Sequence, residues 1–168
     1  MFDGDLLKTN LRSALGAAAE IKDASPGCPP NIPQRVTELI SDAYTSYAND
    51  GLSKLSGATV VSPPVGQSFT SALSVTMLAG LSPGFSAFWS TTAFAAPGLI
   101  PANPIDSSAV AAGAAAISSG ISAMMLVQPP SMDSAADTIA GILHLATSSL
   151  RFLGTPAVGG PPSPIPLA

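Results

Sequence analysis

The segment from Asp106 to Val127 constrains this chain more than any other. It reads DSSAVAAGAAAISSGISAMMLV, and between Asp106 and Asp133 no residue is ionisable. Alanine has the best intrinsic helix propensity, and Asp106 or Ser107 can accept hydrogen bonds from the exposed amides at the start, so the segment predicts a helix. A surface helix of a solitary domain carries one apolar stripe and one wet, charged face. This one is small or apolar on every side, so it is expected to be surrounded.

The distribution of charge points the same way. Residues 1–54 hold five of the six Lys and Arg and seven of the ten Asp and Glu, whereas 55–168 hold only Asp106, Asp133, Asp137 and Arg151. Charged residues are 10% of the chain, against about 25% in an ordinary soluble domain. The later two thirds are therefore a poor candidate for the freely solvated surface of a monomer. A formal charge of −4 with no basic cluster speaks against a nucleic-acid partner, because phosphate binding needs Lys and Arg gathered on one face. One cysteine, Cys28, excludes an internal disulfide and a cysteine-based metal framework. The acidic start MFDGDLLK has neither the basic region nor the apolar run of a secretory signal, so Sec-type export is not expected.

In chain order, residues 5–22 place Leu7, Leu11, Leu15 and Ala18 on one helical stripe, with Asp3 or Asp5 as cap. The link 24–33, with Pro26, Pro29, Pro30 and Pro33, is a stiff connector. A second helix begins near Asn31; its Val36, Leu39, Ile40, Ala43, Tyr44 and Tyr47 recur at spacings of three and four, and Asn49-Asp50-Gly51 is expected to end it. Thr59, Val60 and Val61 favour an extended arm that Pro63-Pro64 stop, and a lone strand of this kind has no evident partner in its own chain. Residues 67–80 predict a helix through Phe69, Leu73 and Met77, and 84–98 a short one ended by Pro97-Gly98. After the central segment, Pro129-Pro130 lead into a last helix reaching Leu153 with Gly154 as its cap, and 155–168 is a proline-rich tail that floats or lies on a partner. The expected architecture is all-α, a bundle of about five to six helices with one short extended arm and a proline-rich C-terminal tail. Its parts are an amphipathic hairpin over 1–54, the arm or linker over 55–66, an Ala/Ser/Gly-rich lobe over 67–154, and the tail.

No motif in the chain carries catalysis. The G-x-S-x-G turn, the P-loop and G-x-G-x-x-G are absent. His144 is the only histidine and sits mid-helix between two leucines, which reads as a packed or rim position. Asp133 and Asp137 share a face at a helix start, where carboxylates compensate the helix dipole. No catalytic residue, cofactor or metal is expected. Phe85, Phe88, Trp89 and Phe94 fall at helical spacing and read as core or as an oligomer contact. The central segment is long enough to span a bilayer, yet Ala, Ser and Gly gain little from lipid and no Lys or Arg flanks it. A membrane-inserted or membrane-active helical protein is the alternative reading.

The helix DLLKTNLRSAL, the helix VTELISDAYTSYANDG, the extended GATVVSPPVGQS and the Ala/Ser-rich helices with their FSAFW segment together resemble small structural proteins of tailed bacteriophages and related contractile injection particles. The resemblance runs over most of the chain as a pattern of segments. It implies a non-enzymatic virion component of the tail, baseplate or neck, made in the host cytoplasm and fitted between other virion structural subunits and copies of itself. The residues expected to touch partners are Val60, Val61, Phe85, Phe88, Trp89 and Ile165.

Overall fold

A computed structural model describes residues 2–23, 32–127 and 131–167. In chain order the elements are α1 (Gly4–Asp23), α2 (Ile32–Ser53), β1 (Thr59–Ser62), α3 (Gly66–Thr76), a 3-10 turn (Met77–Gly80), α4 (Leu81–Trp89), β2 (Ala93–Ala95), β3 (Asn103–Pro104), α5 (Ser107–Val127), α6 (Met132–Ser148), β4 (Arg151–Gly154) and β5 (Ser163–Pro166). The described residues are thus mostly helical, with six α-helices and a few short strands, broadly the all-α class. Cys28 and the prolines at 26, 29 and 30 lie outside the described residues, as do Pro129 and Pro130.

Three helices meet through the stripes the spacing predicts. Leu7, Leu11 and Leu15 of α1 are buried against α2 and α6, and the Asp3 carboxylate caps α1 by accepting from the amides of Asp5 and Leu6. Helix α1 runs antiparallel to α6: Gly4 sits beside His144, and further along Arg12 grips Asp137 with both nitrogens of its fork, the Nε bond being 2.7 Å. The end of α2 comes back to the start of α1, where Gly51 lies against the ring of Phe2. The cap expected at Gly51 is not there. The helix continues to Ser53, and Gly51 serves the contact with Phe2 from within it.

The centre of the molecule is aromatic. Phe69, Phe85, Phe88 and Trp89 are fully buried with Tyr44 and Tyr47; Tyr44 stacks on Phe69 at 4.8 Å between ring centres, and Phe88 meets Trp89 edge-on at 5.3 Å. Burying two phenols and an indole requires partners for their polar ends. They form a chain: the Trp89 indole N–H donates to Tyr44 at 2.9 Å, the Tyr44 hydroxyl meets Thr147 at 2.8 Å, and the Thr147 hydroxyl donates to the carbonyl of Leu143 at 2.8 Å. The indole N–H donates once and the two hydroxyls each accept one bond and donate one, so burial leaves none of them unpaired.

Helix α5 packs against α4 and α6. Its buried positions are Ala109, Val110, Gly113, Ile117, Ile121 and Met124, one stripe at spacings of three and four. Gly113 permits the close approach, since a Cβ there would stand 2.8 Å from the Phe85 ring and 3.4 Å from the carbonyl of Ala146. Gly120 lies against Ile142, so α5 and α6 form an antiparallel hairpin. The expected cap is Asp106, which accepts from the Ser108 amide at 2.9 Å and hydroxyl at 2.7 Å and also holds Arg151 at 2.7 Å. These bonds keep the carboxyl below its usual range, with the Ser108 hydroxyl first and Arg151 second. A carboxyl depressed by folding contributes stability above its unfolded value, near pH 4, and that contribution disappears as pH falls through the folded value. Wild type is therefore expected to lose stability as pH falls below about 4 more steeply than Asp106→Asn, which retains the cap, as followed by thermal unfolding across acid pH.

Two small antiparallel sheets close the end of the bundle where α5 begins. Strand β1 pairs with β2 (Thr59 with Ala95, Val60 with Phe94) and β2 with β3, with a register irregularity between Val60 and Ser62. Strand β4 pairs with β5 from Arg151–Pro166 to Gly154–Ser163, and a bridge between Ile105 and Phe152 joins the sheets. Asn103, fully buried, ties them: its Nδ2 donates to the carbonyls of Phe94 (3.1 Å) and Ile100 (2.7 Å), and its Oδ1 accepts from the Thr155 amide (2.8 Å).

Several local expectations change here. The helix expected over 84–98 stops at Trp89, because the Ser-Thr-Thr run turns and sends Phe94 into the sheet to stack on Phe152 at 5.0 Å. The last helix stops at Ser148 rather than Leu153, and Gly154 is a strand residue. The strand at 59–62 finds its partner within the chain. The end of the tail folds back too, with Leu167 buried and its amide bonded to the carbonyl of Leu150.

Candidate functional site

Helix α5 is the element that its own chain does not finish covering. Outside the buried stripe, Ala111, Ala112, Ala115, Ala116, Ser118, Ser119, Ser122 and Ala123 are exposed, and none can be charged. The helix is long and apolar enough to cross a membrane by length and composition, and only a third of its most apolar stretch is buried within the molecule. Ser and Ala in such numbers keep the face nearly flat and give it no charge to hold water. Where α5 ends, the side chains become large: Met125, Leu126 and Val127 are 66%, 87% and 82% exposed, and Met132 at the start of α6 is 50% exposed. The α5–α6 hairpin thus presents a flat uncharged side and an apolar tip.

Sequence reasoning missed the tip. A signal was available, since Met124-Met125-Leu126-Val127 are four consecutive large apolar residues, and a helix cannot turn all of them inward.

The six residues expected to touch partners are not brought together. Phe85, Phe88 and Trp89 are fully buried in the aromatic centre, so their helical spacing reflects the core and leaves no ring to offer a neighbour. Val61 is half-exposed beside the irregularity of edge strand β1, while Val60 and Ile165 are partly buried against the core. Val60 and Ile165 do share an apolar region: linked hollows run from Asn49 and Val60 past Leu55 and Ala58 to Leu99 and Ile165. The main groove, about 430 Å³, lies between the segment before β1, the turn after β2, and β5.

A second hollow, about 560 Å³, lies over the start of α1 and is lined by Phe2, Asp3, Lys8, Lys54, Gly141 and His144 among others. His144 is the histidine read from the sequence as packed or at a rim, and it is half-buried. Its Nδ1 lies 2.7 Å from the Tyr47 hydroxyl. Burial raises the Tyr47 phenol well above its ordinary range, so the phenol keeps its proton at neutral pH. The remaining parts of a catalytic site are not assembled around it. Among the described residues the lining includes no Ser, Thr or Cys. Lys54 is ion-paired with Asp50 at 2.6 Å, whose hydrogen bond raises the ammonium's pKa and so disfavours the free amine a nucleophile needs. Asp3 is engaged in capping. Among the described residues no three His, Cys, Asp or Glu side chains converge to hold a metal ion. Comparison with known protein families, with curated proteins and with solved structures finds no match.

Proposed function

We propose that this chain is a non-enzymatic structural subunit of a phage-like particle, a part of the tail, baseplate or neck, that assembles with other virion subunits and with copies of itself. The reading is carried by the open, uncharged side of α5. A surface of that kind is unusual on a solitary soluble domain, where large apolar or uncharged patches mark interaction sites. In this reading the helical bundle is the body of the subunit, and the short strands stiffen its end.

The reading is tested by placing charge on the exposed face. Ala115→Glu combined with Ser119→Glu is expected to leave the circular dichroism spectrum unchanged. It is also expected to reduce the mass in detergent-free solution to that of one chain, because unpaired carboxylates cannot be buried in a contact. Unchanged mass in the doubly substituted protein would remove α5 as the assembly face. A membrane reading has one observation in its favour, the length and apolarity of α5; wild-type solubility that depends on detergent would select it.

A further inference from the structure

We infer that β5 is a stop built into the sheet: its prolines stand at the positions whose backbone faces outward, so a strand of another copy cannot be added there. The stop is independent of whether α5 is the surface through which copies meet.

In an antiparallel pair, residues alternate between those that exchange both backbone bonds with the partner strand and those whose N–H and C=O point away from it. The register sets Arg151 opposite Pro166, Phe152 opposite Ile165, Leu153 opposite Pro164 and Gly154 opposite Ser163. The Leu167 amide donates to the carbonyl of Leu150 at 3.1 Å, so that pair, the next in register, is a bonded one. On the far side of β4, the carbonyl of Arg151 accepts from the Asp106 amide at 2.8 Å and that of Thr155 from the Ile100 amide at 2.9 Å, so these residues turn their backbone away from β5. Both observations give the same alternation. Ser163 and Ile165 bond to β4, and Pro164 and Pro166 face outward.

Within β5 only those outward residues could offer an amide to a further strand, and proline has none. What this edge retains is carbonyls. A ladder needs donors and acceptors along the same edge, so a strand laid against β5 would leave its own carbonyls unpaired. Pro164 and Pro166 are exposed, and among the described residues β4 is the one strand that pairs with β5, so the prolines close an edge that is otherwise open. The outer strand of the other sheet, β1, is interrupted by its register irregularity and followed by Pro63-Pro64, which spoil pairing in the same way. The sheet end is thus kept out of strand exchange between copies, and association is left to side-chain packing.

The test compares full-length chains by sedimentation equilibrium and by hydrogen exchange, all carrying Ala115→Glu and Ser119→Glu so that a contact through α5 does not mask the result. Pro164→Val combined with Pro166→Val restores both outward amides and places β-branched residues at exposed positions. Circular dichroism is expected to match the parent. The variant is expected to self-associate about 10-fold more strongly than the parent, and its amides at 164 and 166 to exchange about 10-fold more slowly at high than at low concentration. Pro161→Val combined with Ser163→Val adds apolar side chains without an outward amide, and is expected to behave as the parent. If the paired substitution unfolds the sheet, Pro164→Val and Pro166→Val separately, each restoring one amide, read the same two quantities. Folded proline variants with the mass of the parent, or amides at 164 and 166 that exchange freely at every concentration, would overturn the inference, and so would equal association of the Pro161→Val and Ser163→Val chain. A parent heavier than one chain would count against α5 as the assembly face, and the difference between variants would still decide whether β5 is a stop.

Discussion

Asn103→Ala is expected to lower the unfolding free energy by about 3 kcal/mol, the value that follows when one buried and two partly buried backbone groups each lose a partner, at roughly 1–3 kcal/mol for a fully buried one. The side chain occupies a fully buried site and binds three backbone groups from three separate stretches, at Phe94, Ile100 and Thr155. Alanine satisfies none of them and leaves a small void. Against a total stability of about 5–15 kcal/mol for a domain, the loss is large enough to read as a lowered midpoint in urea with little change in slope. Because Asn103 ties the sheets, the Thr155 amide is expected to exchange with deuterium first. A midpoint within a few tenths molar of wild type would show that water replaces the side chain without cost, and that the sheet end does not depend on it.

Gly51→Ala is expected to cost about 3 kcal/mol, through a neighbour far away in sequence. Glycine inside a helix is ordinarily worse than alanine by about 1 kcal/mol, so local propensity alone makes the substitution stabilising. Here a Cβ would overlap the ring of Phe2, which is buried and lies 5.6 Å from Tyr47 and edge-on to Trp89 at 6.3 Å between ring centres. The ring must leave, and the loss approaches that of a large aromatic truncated in a core, about 3–5 kcal/mol, less the propensity gain. The sign depends on Phe2. In a Phe2→Ala background, already destabilised by a similar amount, Gly51→Ala is expected to add up to about 1 kcal/mol of stability. A double-mutant cycle by urea unfolding measures this reversal, and additive losses would mean that the close approach of Gly51 to the ring is not what the glycine serves.

These two residues show where sequence reading succeeds and where it stops. The stripes Leu7-Leu11-Leu15 and Ile40-Tyr44-Tyr47 are periodic within a few residues, and helical burial follows from that period alone. The Asp106 cap is equally local. Strand pairing has no such signature: Thr59 meets Ala95 and Arg151 meets Pro166, and nothing within four residues of either strand names its partner. Hence the arm reads as an extended segment without a partner in its own chain and the tail as one that floats or lies on a partner, although both are tied into the molecule. The aromatic group is a different kind of ambiguity. Phe85, Phe88 and Trp89 sit one helical turn apart whether they face a core or a partner, and what decides is the buried hydrogen-bond chain from Trp89 through Tyr44 to Thr147, made by residues from three distant helices. The thinness of charge after residue 54 was legible at once. Its spatial meaning, an open side and a tip on one hairpin, needed the antiparallel packing of α5 and α6.

The most direct test is the mass of the wild-type protein by static light scattering, without detergent, over a hundredfold range of concentration. Species heavier than one chain, growing with concentration and dispersed by the α5 carboxylates, are expected if the uncharged side of α5 is made to be covered. A well-folded single chain throughout that range would contradict it.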